Sequence, residues 1–417
     1  MAKQFLAPRG TSDILPENIP SWRRIEEMAR QLLETYGYRE IRTPAFEETE
    51  LFNRSLGQTS DVVQKQMLNL EKEGLSLRPE GTASIVRSYI ENSLDKKEPI
   101  SKLYYMGPMF RGERPQKGRL RQFHQIGLEA IGPQTTSVFL DAEVIALGHG
   151  LLKAFGVKDF RLKINTLGTP EDKENFSKKL REQLKTHTKE LCEDCQGRFN
   201  RNVFRILDCK NKTCQAVVVK LDLSHSHLSG ESQEYFKNLK EALNSLSISF
   251  EESPRLVRGL DYYTHTVFEI AGSSLGSQDA LGAGGRYNNL VSDLGGSKVD
   301  AVGFALGIER ILLSLEKREK EPSHFKVFII ALEEKFTPKA FSLLSKLRDK
   351  GIASDMSYKV SSVKSQMRLA DRLKTPFVVI LGEDEDKKGV VTLKNMQTGD
   401  QKEIAFEDIE ELAKNVQ

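Results

Sequence analysis

Residues 103–131 constrain this chain more than any other stretch. They begin as an apolar run from Leu103 to Phe110, rich in the bulky and aromatic side chains that strands favour. The character then reverses. Between Arg111 and Arg121 lie five cations (Arg111, Arg114, Lys117, Arg119, Arg121) and one acid, Glu113, with Pro115 and Gly118 supplying turn chemistry. A second strand-like run follows from Phe123 to Ile131. The pattern predicts a hairpin with a cationic tip. Gln125 and Glu129 are an even number of residues apart and so share one face of the second strand, giving a polar floor that bears a carboxylate.

A charged tip can be no more than a solvated loop. Here, however, arginines stand at both strand junctions, where a rigid scaffold fixes them. Glu129 also lies among Ile126, Leu128 and Ile131, an expensive place for a carboxylate with no partner. Planar guanidinium forks held in place suit phosphate oxygens. The stretch therefore predicts a nucleotide phosphate at the hairpin and a second ligand on its floor.

Composition sets the frame. A length of 417 residues suggests two or three domains, and 38% hydrophobic residues suffice for large cores. With 62 Lys+Arg against 59 Asp+Glu the net charge is +3, so a nucleic-acid partner would be met by local patches. No apolar run approaches the roughly 20 residues of a membrane span. The N-terminal MAKQFLAPRGTSD lacks a signal-peptide core, and four cysteines do not make a disulfide scaffold. A soluble cytoplasmic protein is expected.

Along the chain, Ile19, Trp22, Ile25, Met28, Leu32 and Leu33 fall at helical spacing, and 38–46 reads as a strand broken by Pro44. Residues 75–87 read as a strand feeding a helix, with Pro79, Glu80, Gly81 and Thr82 at the junction, where Glu80 and Thr82 can cap the helix. An amphipathic helix is expected over 136–155 and a strand over 160–168. From about 170 to 250 the chain turns polar, Lys- and Glu-rich and helical, as an insertion would. It carries Cys192, Cys195, Cys209 and Cys214, two close pairs separated by 13 residues, which approximates a tetrahedral zinc pattern; four reduced thiols in a helical module are the alternative. Residues 264–270 alternate as a strand, preceded by Arg258, Asp261, Tyr262 and Tyr263 and containing Glu269. The glycine-rich 282–290 fits neither nucleotide fingerprint and instead lets a strand pass close to a ligand. Residues 301–313 read as a small-residue strand, a turn at Gly307 and a helix with Arg310 in its first turn. A charged linker with Pro322 spans 314–325. Beyond it, alternating elements predict a small α/β domain with a mixed sheet.

Four strings carry a resemblance: APRGTSDILP (7–16), FRGERPQKGRLRQFHQIGLE (110–129), LVRGLDYYTHTVFE (256–269) and GFALGIERILL (303–313). The second and fourth resemble the second and third motifs of class II aminoacyl-tRNA synthetases. The third resembles a signature of histidyl-tRNA synthetases of bacterial type, and the order is that of the family. The resemblance implies an α+β class II catalytic domain over 1–322, an antiparallel sheet flanked by helices, with a helical insertion at about 170–250. It also implies an α/β anticodon-binding domain with a mixed sheet over 323–417. The implied reaction is ATP-dependent attachment of L-histidine to tRNA(His) through a histidyl-adenylate, releasing AMP and diphosphate.

By matched position, the resemblance implies Arg258 and Arg111 as catalytic residues. It implies Glu80, Gly81, Thr82, Arg111, Gln125, Glu129, Arg258, Tyr262 and Tyr263 around histidine, with Glu129 accepting from one ring N–H and Tyr263 near the other nitrogen. Around ATP, entering with Mg2+, it implies Arg111, Glu113, Arg119 and Arg310. Arg114 and Gln116 become candidates for the tRNA acceptor end, and 38–46 an interface in a homodimer. Structural Zn2+ on the four cysteines stays open. Two other readings share parts of the pattern: a histidine-sensing regulatory subunit of histidine biosynthesis, which lacks the last domain, and a plain tRNA-binding module, which leaves 256–269 unexplained.

Overall fold

The structure is a computed structural model that describes residues 5–57, 60–70, 73–273, 279–315 and 325–416. The chain divides into two compact units, Met1–Arg318 and Glu319–Gln417. Most of the expected linker, including Pro322, lies outside the described residues.

The strands of the first unit are β1 (Arg39–Glu40), β2 (Phe46–Glu48), β3 (Leu68–Leu70), β4 (Leu75–Leu77), β5 (Ser101–Phe110), β6 (Gln122–Gly132), β7 (Phe160–Thr166), β8 (Glu251–Glu252), β9 (Thr264–Gly272), β10 (Ala280–Arg286) and β11 (Asp300–Gly307). Eight of them form one sheet in the order β1-β5-β6-β11-β10-β9-β7-β8; β2, β4 and β3 form a small second sheet. The large sheet is antiparallel except where the two-residue strands β1 and β8 add in parallel at its edges.

The predicted hairpin is β5–β6, paired from Ser101↔Ile131 to Phe110↔Gln122. Its tip closes at the Gln116–Arg119 bridge, where Gly118 takes φ +75°. Alternation along β6 then divides the sheet. Ile126, Leu128 and Ala130 face a buried layer, together with Phe268 and Phe304 of neighbouring strands. That layer is built from the helices Ile19–Thr35, Val138–Phe155 and Gly230–Ser245. Ser137 and Ser229 cap the second and third of these with their side chains.

Two expectations change here. Helix Val138–Phe155 is buried over most of its circumference rather than amphipathic, because it is sandwiched between the sheet and the helix Gly230–Ser245. That third helix, read as part of the polar insertion, buries Phe236, Leu239 and Leu243 in the same core as the sheet. Its many polar residues masked an apolar stripe. The segment 38–46 splits between two sheets, as the Pro44 break suggested. Arg78 holds it, donating through Nε to Pro108 O at 2.9 Å and through Nη1 to Thr43 O at 3.0 Å.

In the second unit, β12 (Val327–Ala331), β13 (Ser354–Met356), β14 (Phe377–Leu381), β15 (Val390–Asn395) and β16 (Gln401–Ala405) are ordered β13-β12-β14-β15-β16. The first three are parallel and the last two antiparallel, so the sheet is mixed as expected. Strand β16 had no signal in the sequence: it is an edge strand on which only Ile404 is buried. Ser362 caps the helix Val363–Arg372, its side chain accepting from the Ser365 backbone N–H.

Candidate active site

The odd-numbered face of β6 floors a cleft of about 380 Å³. It is deep because its neighbours are small. Gly303 and Ala305 lie opposite Glu129 and Gly127 on β11, and Ala283 continues the row on β10. Side chains at Gly81 or Gly127 would collide with the Tyr105 ring, a Cβ at either lying 2.3 Å from it. Both positions are therefore empty so that one phenol can fill the space between floor and helix.

Glu129 is 1% exposed. Its Oε1 accepts from Thr82 Oγ1 at 2.6 Å and its Oε2 from the Tyr287 hydroxyl at 2.5 Å. Burial nonetheless pushes its carboxyl up to about 8; the two hydroxyls oppose that shift and the Glu80 carboxyl adds to it. Glu80 is also raised by burial, against the backbone N–H groups of Thr82 and Ala83, from which it accepts at 2.8 Å each. Glu80 thus caps the helix Thr82–Glu91 as well as lining the cleft. Thr82 caps nothing; its hydroxyl is spent on Glu129. Gln125 stands further along the floor, and its Oε1 has no hydrogen-bond partner among the described residues. Tyr262 and Tyr263 wall this end with ring centroids 4.6 Å apart; burial raises both phenols, Tyr263 to about 12, so they remain hydroxyl donors.

The cationic end gathers arginines from three distant segments. Arg111, at the start of the tip, donates through Nε to Pro79 O at 2.9 Å and lies over the Phe123 ring at 5.3 Å. Arg258 pairs with Glu269 of β9 at 2.8 Å. Arg310, in the first turn of the helix Ile308–Ser314, donates through Nε to Gly118 O at 3.0 Å and also to Ala280 O. Arg119 pairs with Glu113 at 3.1 Å. Burial lowers Arg111 and Arg310, and for Arg310 the Arg119 charge adds to the depression. Crowded, desolvated cations of this kind await an anion.

Glu80, Thr82, Arg111, Glu113, Arg119, Gln125, Glu129, Arg258, Tyr262, Tyr263 and Arg310 all line this one cleft. Gly81 lies just behind, against Tyr105. Arg114 and Gln116 are exposed at the tip, outside the lining.

Five further residues contribute without a role assigned from sequence. Tyr287 bonds Glu129; its place within the glycine-rich 282–290 was the available signal. Tyr105 reads in the sequence only as part of a strand. Asp61, Gln66 and Arg205 form part of the rim and come from segments with no motif. Asp61 accepts from Arg198 at 2.7 Å and Arg205 at 3.2 Å; burial works against its charged form, but the two guanidinium groups win and hold it below the usual carboxylate range.

The four cysteines also come together. All four sulfur atoms lie within 4.8 Å of one another, with no disulfide between them.

An antiparallel sheet with this arginine-tipped hairpin on its open face, followed by a mixed-sheet unit, defines a class II aminoacyl-tRNA synthetase. Comparison with known proteins narrows the class. A family model described as "Histidyl-tRNA synthetase" matches residues 10–311, and one described as "Anticodon binding domain" matches 326–415. The chain belongs to the histidyl-tRNA synthetase family. It is 45% identical to the "Histidine--tRNA ligase" of Halothermothrix orenii, with 98% of this chain and 99% of that protein covered. It is 44% identical to that of Desulforamulus reducens, covering 96% and 97%. The structure of apo S. aureus histidyl-tRNA synthetase superposes with a TM-score of 0.80 at 36% identity, covering 99% of this chain and 100% of that one. Among the described residues no helix is long and apolar enough to cross a membrane.

Proposed function

We propose that the cleft over β6 and β11 is where L-histidine meets ATP and becomes histidyl-adenylate. Family membership carries the reaction, ATP-dependent attachment of L-histidine to tRNA(His) with release of AMP and diphosphate. A histidine carboxylate oxygen attacks the α-phosphorus in line, and the bond to the departing diphosphate breaks. A terminal ribose hydroxyl of the tRNA then attacks the acyl carbon, and AMP leaves. Negative charge is redistributed over phosphate oxygens, so the protein's work is positioning and electrostatics.

Arg111 holds the α-phosphate and the histidine carboxylate. Arg258 reaches between the same two groups, exchanging part of its pairing with Glu269 for them. Arg310 takes the γ-phosphate, while Glu113 and Arg119 lie over the nucleotide. ATP enters as its Mg2+ complex. One observation supports this division most: three guanidinium groups from segments far apart in sequence line a single cleft, with Arg111 and Arg310 penalised by burial.

Glu80, Gly81, Thr82 and Gln125 surround the α-ammonium, which the unpartnered Gln125 Oε1 suits. Glu129 accepts from one imidazole N–H, and Tyr262 and Tyr263 wall the ring. Neutral imidazole offers one donor and one acceptor, so a pocket built for both rejects apolar isosteres. Residues 1–322 perform the chemistry and 323–417 contact the tRNA anticodon, with Arg114 and Gln116 meeting its acceptor end. The enzyme is cytoplasmic and a homodimer. Phe46, 49% exposed on the small sheet, supports an interface around 38–46.

The regulatory-subunit reading is disfavoured by the anticodon-domain match and by the presence of all three arginines in the cleft. ATP–pyrophosphate exchange scanned over the standard amino acids tests the proposal. Exchange with histidine alone is expected; exchange with none, or equally with several, contradicts it.

A further inference from the structure

We propose that Cys192, Cys195, Cys209 and Cys214 bind one structural Zn2+ that pins the inserted module against the rim of the cleft. The ligand spacing is C-x2-C followed by C-x4-C, within the range of closed structural sites. Cys192 precedes the helix Glu193–Arg201 and Cys195 lies in its first turn; Cys209 precedes the helix Lys212–Val218 and Cys214 lies within it. Two short helices thus present two thiols each to one point.

The sulfur positions fit a metal. A tetrahedron with Zn–S near 2.3 Å has edges of about 3.8 Å. Cys192 and Cys209 stand 3.9 Å apart, and no pair exceeds 4.8 Å. That is far beyond a disulfide bond. Thiols packed only as small apolar groups have no reason to converge, whereas ligands must. Donors also surround the cluster as they do in thiolate sites: the Cys192 backbone N–H donates to Cys214 Sγ at 3.2 Å, and Arg198 Nη1 lies 3.9 Å from Cys195 Sγ. No open position remains for a substrate, so the ion holds structure rather than performing chemistry.

What it holds is the rim. From the helix that carries Cys195, Arg198 donates to Asp61 at 2.7 Å, Arg201 to Gln64 at 2.9 Å, and Asp194 pairs with Lys65 at 3.2 Å. Asn202, which follows, donates to Asp261 at 2.7 Å, next to Tyr262. Helices of nine and seven residues are marginal without a staple. The ion supplies one, and the rim segment 61–66 depends on it.

The test uses the full chain, purified under reducing conditions without chelator. Elemental analysis is expected to give roughly one zinc per chain. Mercurial titration should release it, and Co2+ replacement should give the intense sulfur-to-metal charge-transfer and d–d bands of tetrahedral thiolate coordination. Cys209→Ser with Cys214→Ser should lose the metal. Removal of zinc from the natural chain should raise tryptic cleavage between residues 193 and 220 by at least about tenfold. Should the double variant fail to fold, the Co2+ spectrum of the unaltered chain still decides. Iron in place of zinc, no metal after zinc reconstitution, or an unchanged cleavage rate overturns the proposal.

Discussion

Glu129 and Gly303 face each other across the β6–β11 pair, and a methyl group on Gly303 would fall 1.8 Å from Glu129 Oε2. The carboxylate fits only because its neighbour has no side chain. Glu129 is the proposed acceptor for imidazole. Glu129→Ala should therefore raise the histidine KM on the order of a hundredfold or more while ATP affinity stays nearly unchanged. Parallel losses of both affinities would show a folding defect instead.

Glu129 also sets a pH dependence. Its carboxyl, pushed up to about 8 by burial, holds a proton in the folded, ligand-free chain when the unfolded chain has already released it. The folded state thus binds more protons between the ordinary value of 4.5 and about 8. The contribution is complete below that window and is lost as pH rises through it. The melting temperature of ligand-free protein should fall from about pH 5 to about pH 8 more steeply than that of Glu129→Gln. Parallel curves for the two proteins would contradict the assignment.

Arg258 should matter to chemistry more than to binding. Arg258→Ala removes the donor proposed to reach between carboxylate and α-phosphate and leaves Glu269 without its 2.8 Å partner. Exchange with pyrophosphate should drop on the order of a hundredfold to a thousandfold, with histidine affinity measured at equilibrium changing far less. Near-normal exchange would remove Arg258 from the mechanism.

Beneath the site, Arg286 and Asp141 form an ion pair at 2.5 Å with almost no exposure, and Thr266 and Tyr235 also donate to Asp141. Arg286→Met leaves a buried carboxylate and should cost about 3–5 kcal/mol. The double replacement Asp141→Leu with Arg286→Met should recover much of that loss. Denaturant unfolding measures both; a double variant no better than the single would mean that the pair fixes the strand position rather than balancing charge.

The hairpin was legible because its two requirements, strand alternation and a cationic turn, leave separate marks in sequence. Most of the cleft was legible for a related reason: Gln125 and Glu129 must share a face once β6 is a strand. What escaped notice depends on distant neighbours. Tyr287 bonds Glu129 across 158 positions, and Tyr105 needs Gly81 and Gly127 to be bare at once. The helix Gly230–Ser245 looked like an insertion because local polarity says nothing of which apolar stripe finds the sheet. Strand β16 is defined by its ladder with β15, a hydrogen-bond partner that composition does not record.

The most direct measurement is a crystal structure of the protein with L-histidine and a non-hydrolysable Mg2+–ATP analogue. The account predicts the α-phosphate within hydrogen-bond reach of Arg111 and Arg258, the γ-phosphate on Arg310, and an imidazole N–H on Glu129. A triphosphate that misses any two of these arginines, or an imidazole seated away from Glu129, would contradict it.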